Sequence, residues 1–236
     1  MNTVSALDEN FLSLDSDTSH QAIAILCLLD SIPSVEQIKE NLNSALEQFP
    51  KLRMKVKAAR KSLWVEDENF QLDNHFSVLH CDEEINNESL LNTASKLFSN
   101  KLDFSRPLWR LTLLTNGSTT EQHKAAVFFT VHHAFADGLS GLALFDAFCD
   151  KHHAAKESNN PLPISTQVKN KLSKYTASFF KLFSEYLRNP GKTPIIGKNS
   201  NLRQLTVMEF DLRELLDLKT ALRCSLNDIF LTLLTQ

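Results

Sequence analysis

The sequence predicts an α/β fold of the α+β kind, on three observations. Continuous apolar runs at Ala22 to Leu29 and Ala125 to Val131 have the length and composition of buried strands rather than helices. Elsewhere apolar residues recur at three- and four-residue intervals, as at Val35, Ile38, Leu42, Ala45 and Leu46, and at Leu139, Leu142, Ala143 and Phe145; this is helical spacing. At 236 residues the chain can bury a real core, as one large domain or two small ones.

Taken in order, Phe11, Leu12 and Leu14 among Asp and Ser read as a short ordered entry segment, followed by the strand Ala22 to Leu29. Ser34, with Gln37 three residues on, is a capping-box pattern that opens a helix running to about Gln48; Pro50 ends it. Leu52 to Val56 and Leu63 to Val65 read as a hairpin, Phe70 to His80 as mostly extended, and Glu88 to Leu102 as a helix with Leu90, Leu91, Ala94, Leu97 and Phe98 inward. A strand from Trp109 to Leu114 is separated by the turn signal Asn116-Gly117-Ser118 from the strand at Ala125. Beyond Asp150 the composition becomes that of a linker. An amphipathic helix, Val168 to Leu187, then carries a basic balance that suits either an anionic membrane surface or packing on its own protein. Asn189 to Asn201 is turn-rich, Gln204 to Phe210 reads as a strand, Leu212 to Leu222 as a helix, and Leu226 onward as another.

Hydrophobic residues make up 42% and charged residues 22%, an ordinary globular composition, and a net charge of −3 argues against bulk nucleic-acid binding. Cys27, Cys81, Cys149 and Cys224 form no C-x-x-C pair; Cys27 and Cys149 lie in apolar runs and read as small core residues. A reducing cytosol is the natural setting. No basic segment followed by an apolar stretch opens the chain, and no run approaches about 18 apolar residues, so neither a secretory signal nor a transmembrane helix is expected.

The chemistry concentrates where the apolar run at Ala125 stops. His132 and His133, then Asp137 and Gly138, share one strand-to-helix loop, where backbone is exposed and the flanking elements hold it still. An imidazole takes a proton near neutral pH without special tuning. A carboxylate can fix the loop or the imidazole, and Gly138 permits positive φ or a close backbone approach. The same residues also suit a hydrogen-bonded strand end with Asp137 capping the next helix. A metal site would need His123 or the pair His152-His153 as extra donors, and none sits at a familiar zinc spacing.

His132-His133-Ala134-Phe135-Ala136-Asp137-Gly138 resembles the HHxxxDG motif of the CoA-dependent acyltransferase superfamily, which includes chloramphenicol acetyltransferase and the condensation domains of peptide synthetases. Trp64-Val65-Glu66-Asp67 with Phe70 to His75, Leu102 to Trp109, and Ser225 to Leu231 are similar to three further blocks of the bacterial wax ester synthase/diacylglycerol acyltransferase family, in the family's order. Leu7 to Leu12 resembles its opening motif, and Gly191-Lys192-Thr193-Pro194 its "GPTP" loop.

The resemblance implies a mixed sheet flanked by helices, in a truncated chloramphenicol acetyltransferase-like fold. Residues 1–155 would form the N-terminal domain, 156–203 a linker with the amphipathic helix, and 204–236 the start of an incomplete C-terminal domain. The chain stops inside a helix without a stop signal, so it reads as a fragment, a truncated gene product or one half of a split gene. The implied reaction is transfer of a fatty acyl group from acyl-CoA to diacylglycerol or a long-chain alcohol. His133 would be general base, His132 supporting, and Asp137 would shape the loop through an Arg partner. Asn227 is either a hydrogen-bond donor in the substrate site or part of a helix cap with Ser225. The structural reading of the Pro107-Leu108-Trp109 block is packing on the sheet. No cofactor is implied beyond acyl-CoA as co-substrate; peripheral contact with a membrane or lipid inclusion is an open expectation. A condensation-type acyltransferase and a catalytically inactive lipid-binding fragment are the alternatives.

Overall fold

The computed structural model of the chain describes residues 2–81, 87–116, 125–149 and 200–234. The expectations for the 168–187 helix, the linker, the loop at 191–194, Gly117-Ser118, His123 and His152-His153 fall outside these residues.

The two apolar runs become neighbouring strands of a mixed sheet, the first at its edge and the second inside it. With β1 at Asn2–Thr3, the first run is β2 (Ala22–Leu29), and the second is β7 (Ala125–His132). They pair antiparallel in a register that sets Ala22 opposite His132 and Leu29 opposite Ala125. β6 (Trp109–Asn116) lies antiparallel to β7 on its other side, and β5 (Phe76–Cys81) lies parallel to β6, giving the order β2-β7-β6-β5. A parallel pair needs a crossover. Helix α3 (Asn87–Ser99) supplies it, so β5, α3 and β6 form one β-α-β unit. The expected hairpin is β3 (Met54–Lys57) with β4 (Leu63–Glu66), entered by a 3₁₀ turn at Pro50–Arg53; β1 completes a second sheet of order β1-β4-β3.

Alternation along β7 sorts its side chains onto two faces. Phe129 meets Phe145 and Phe148 of α4 (Gly138–Phe148), on the face that α4 shares with α2 (Val35–Gln48). Phe128 meets Phe98 of α3, and Ala126 packs with Leu90 and Leu114, so the even-numbered residues, His132 among them, face α3. The main core lies on the α2/α4 side, around Leu42, Leu52, Leu108 and Trp109. Ser34 caps α2 by accepting from the Gln37 N–H (3.4 Å), but the Gln37 side chain turns to Asn41 instead of returning to the cap.

The entry segment is a full helix, α1 (Ala6–Leu14), capped by Ser5 and tied to Ser62 through Glu9. Residues 202–210 are not a strand. Their polar links run to helix α3, with the Arg203 and Leu205 N–H groups donating to Ser99 Oγ and Ser95 Oγ, and no described strand lies beside them to complete a ladder. Helices α5 (Leu212–Leu222) and α6 (Leu226–Leu234) follow. Cys149 is exposed just past α4, and Cys27 is half-buried, so neither is the core residue its apolar run suggests. Leu29 and Phe148 end those runs, and both cysteines sit at an opening of the α2/α4 layer.

Gly141 is where α4 needs a glycine. A Cβ there would stand 3.2 Å from Ile23 Cδ1 and 3.6 Å from Val131 Cγ1, so the helix rests directly on β2 and β7. Gly141→Val is expected to lower stability by about 1–3 kcal/mol through overpacking. Gly141→Ala gains helix propensity against a smaller displacement and stays near wild type. Urea denaturation of the two variants measures the difference.

Candidate active site

The loop after β7 is held by bonds that converge from distant parts of the chain. The His132 N–H donates to the Leu108 carbonyl (3.0 Å) and the His133 N–H to the Gln21 carbonyl (2.7 Å), while Phe135 and Ala136 N–H groups fold back onto the His132 carbonyl. Lys51 Nζ donates to the Phe135 carbonyl (2.6 Å) from over the Trp64 and Phe135 rings. Burial pushes its pKa down.

The two histidines occupy different environments. His132 is 1% exposed and engaged at both ring nitrogens: Nδ1 accepts from the Ala134 N–H (3.0 Å), which assigns the proton to Nε2, 3.2 Å from Asp15 Oδ2. Burial pushes its pKa below the ordinary value, against the pull of Asp15. His132 is therefore a neutral, locked imidazole that shapes the site. His133 is half-buried and stacks flat on Phe11, ring centroids 3.9 Å apart and planes 18° apart. Its Nδ1 is buried with no hydrogen-bond partner among the described residues. Of the pair, His133 is the imidazole with a ring nitrogen that no described residue engages.

Asp15 is the anchor. Its Oδ2 also accepts from the Gln21 N–H (2.9 Å), and its Oδ1 lies 2.7 Å from Lys101 Nζ. Burial raises its pKa, but bonds from Lys101 and Gln21 outweigh that and leave the carboxyl below its usual range. Because Gln21 in turn holds the His133 backbone, one carboxylate positions both histidines. Neither Asp15, Lys101 nor Lys51 stands out in the sequence. Asp15 is one of several acidic residues in its stretch, and its link to His132 spans 117 positions.

Asp137 caps α4, accepting from the Ser140 N–H (2.8 Å), which holds its pKa below the ordinary carboxylate value. No arginine meets it among the described residues, where its role is that of a helix cap. Asp137→Ala is expected to cost about 1 kcal/mol and Asp137→Ser much less, since serine is also a good cap. Thermal melts distinguish this from an ion pair, which serine could not replace. Gly138 has neither a positive φ nor a neighbour within 4 Å of a built Cβ, so neither reason offered for a glycine there comes from the chain itself.

Asn227 takes no part in the cap of α6. Ser225 is the cap and pairs reciprocally with Asp228, three residues on, which is the spacing a capping box requires. Asn227 is exposed and bonds nothing in the histidine loop. Two motif blocks are spent on packing. Trp109 Nε1 donates to the Leu52 carbonyl (2.8 Å), and His75 stacks between Phe70 and Trp109 with its Nδ1 2.9 Å from the Trp109 carbonyl. Among the described residues no group of three or more His, Cys, Asp or Glu is placed to hold a metal ion, and no helix is long and apolar enough to cross a membrane.

Residues 4–189 match the family described as wax ester synthase/diacylglycerol acyltransferase catalytic domain. O-acyltransferase WSD of Acinetobacter baylyi is 24% identical over 199 residues, covering 71% of this chain and 43% of its own length. A Mycobacterium tuberculosis protein provisionally named a diacylglycerol O-acyltransferase is 28% identical over 160 residues, covering 63% of this chain and 31% of its own length. The fold is similar to that of the wax ester synthase/diacylglycerol acyltransferase from Marinobacter aquaeolei VT8 (TM-score 0.64, 17% identity, 97% of this chain and 57% of that one). It also resembles the X-domain from teicoplanin biosynthesis (TM-score 0.52, 14% identity, 80% of this chain and 40% of that one). The chain thus spans about a third to somewhat over half of the length of these proteins.

Proposed function

This chain belongs to the wax ester synthase/diacylglycerol acyltransferase family, and from that premise we propose that it carries the histidine-bearing part of an O-acyltransferase. The substrates proposed are acyl-CoA and either diacylglycerol or a long-chain alcohol. The observation that carries the reading is the division of labour in the His pair: His132 is saturated by Asp15 and Ala134, while His133 stands at the same loop with its Nδ1 unengaged by any described residue.

In the proposed step the acceptor hydroxyl oxygen attacks the thioester carbonyl carbon as His133 takes the hydroxyl proton. The tetrahedral intermediate collapses with cleavage of the C–S bond, and the proton passes from His133 to the departing CoA sulfur. No acyl-enzyme forms. The developing oxyanion needs hydrogen-bond donors, and Asn227, exposed and without a bond to the loop, is not held in place as one by the described residues.

The division expected from the sequence, with 1–155 carrying the loop and 204–236 opening a second unit, belongs to the same proposal. Leu202, Val207, Met208, Leu212 and Leu222, all in the 200–234 segment, are each at least 60% exposed, an apolar exposure that a further part of the fold would cover. The portion of the family's fold beyond the matched region is the proposed cover. A lipid-binding role without turnover is the second reading, favoured by the apolar lining of the opening between α2 and α4.

Release of CoA from palmitoyl-CoA, with hexadecanol or diolein as acceptor, tests the proposal on the chain alone and on the chain mixed with the C-terminal portion of a family member. Ester formed in step with CoA supports the acyltransferase. Absence of ester under both conditions leaves the second reading.

A further inference from the structure

A second site lies on the face of the sheet opposite His132. Cys27, Leu111 and Val127 point to the α2/α4 side, and with Ile38, Phe145 and Phe148 they line a cavity of about 230 Å³. That exceeds the ~150 Å³ of an apolar cavity able to stay dry and bind benzene. Val127 precedes His132 by five residues, roughly 17 Å along the strand, and no residue from His132 to Gly138 is among the lining. The cavity is therefore separate from the histidine loop.

The lining is apolar except for two carboxamides. Gln37 Nε2 donates to Asn41 Oδ1 (3.1 Å), and Asn41 Nδ2 donates to the Phe148 carbonyl (3.2 Å), so the polar edge is tied together across α2 and α4. Among the described residues no charged side chain lines the cavity. An ionised head group brought here would lose water without meeting a cation, which is strongly unfavourable. A hydroxyl can exchange its water for a carboxamide.

We propose that this cavity binds a single hydrocarbon chain carrying a neutral hydroxyl head, with the chain among Val127, Leu111 and Phe148 and the hydroxyl at Gln37 and Asn41. Removing the chain from water drives binding, and a lining with no cation among the described residues disfavours the free fatty acid. Phe145 and Phe148 belong to the helix whose first turn Asp137 caps, so an occupant braces α4 from its far end. The proposal does not depend on acyl transfer, because it is read by direct binding.

The experiment is a titration of the methyl-labelled chain with 1-octanol and, separately, with octanoate at neutral pH. Saturable shifts of the Val127, Leu111 and Ile38 methyls with octanol, and binding of octanoate weaker by about tenfold or more, are the expected result. Cys27→Phe fills the chamber and should abolish the shifts, whereas His133→Ala should leave them unchanged. Cys149→Trp, at the exposed mouth, replaces Cys27→Phe if that variant does not fold. The proposal is overturned by octanol shifts that never saturate, that are confined to the histidine loop or that survive the filling variant, and equally by octanoate binding as tightly as octanol.

Discussion

His133→Ala is expected to abolish ester formation while leaving the fold intact, and His132→Ala to do the reverse, unfolding the chain at a lower temperature before its chemistry can be read. A positioned general base contributes typically ~10²–10⁴ in rate, and the loss in His133→Ala should fall in that range. The structural cost is small, because the described contact of the His133 side chain is its stack on Phe11, and aromatic pairs of this kind contribute about 0.5–1.5 kcal/mol. His132→Ala strips partners from two sides at once, leaving the buried Asp15 carboxylate and the Ala134 N–H without the ring that joins them. Unsatisfied buried groups cost roughly 1–3 kcal/mol each, more when charged. CoA release and thermal melts on the same preparations, in whichever form turns over, separate the two roles. A wild-type rate in His133→Ala would remove it as the base.

The parts of this picture that a reader of the sequence could obtain are those written in local periodicity. β2, β7, α2 and α4 are continuous runs or regular stripes bounded by abrupt polarity, and the histidine loop lies where one of them stops. The family's blocks were equally legible, and they led to the fold that the chain has. The parallel pairing of β5 with β6 was not, since strand direction is a property of the connection and Phe70 to His80 carries only an extended pattern. Gln204 to Phe210 shows why a strand pattern alone is insufficient: with no described strand edge beside it, the Leu205 amide, like that of Arg203 just before the segment, bonds to a serine of α3. Asn227 stood one position away from Asp228, and capping geometry selects the third residue after the cap, so the adjacent carboxylate took the role. Asp15 and Lys101 were invisible because their importance comes from a contact between segments far apart in the chain, which no local pattern encodes.

Asp15 therefore carries the largest expected stability effect. In Asp15→Ala the Lys101 ammonium, the His132 Nε2–H and the Gln21 N–H lose a common acceptor. Breaking a buried charged pair by removing one partner costs about 3–5 kcal/mol. Lys101 is 33% exposed and can turn to water or toward Asp17, 3.5 Å away, which places the expectation at the low end of that range. Asp15→Asn keeps an oxygen for His132 and Gln21 but presents no negative charge to Lys101, so its loss should be intermediate. The pH dependence follows from the directions of the shifts. Asp15, held below its ordinary value, contributes stability that is present above the unfolded value of about 3.9 and is lost as pH falls through the lower folded one. His132, pushed down by burial, withdraws stability on the acid side sooner, below about pH 6.5, where only the unfolded imidazole gains a proton. Lys101, raised chiefly by its bond to Asp15, holds its contribution below about pH 10.4 and loses it as pH rises through its higher folded value. Wild-type stability should thus form a plateau between about pH 6.5 and 10 with a decline on the acid side, and Asp15→Ala should lower the plateau while removing the carboxylate's part of that decline. Urea denaturation at pH 3, 5, 7 and 9 measures both. An Asp15→Ala variant within about 0.5 kcal/mol of wild type at pH 7, the range of ordinary surface changes, would show that the carboxylate does not anchor the loop.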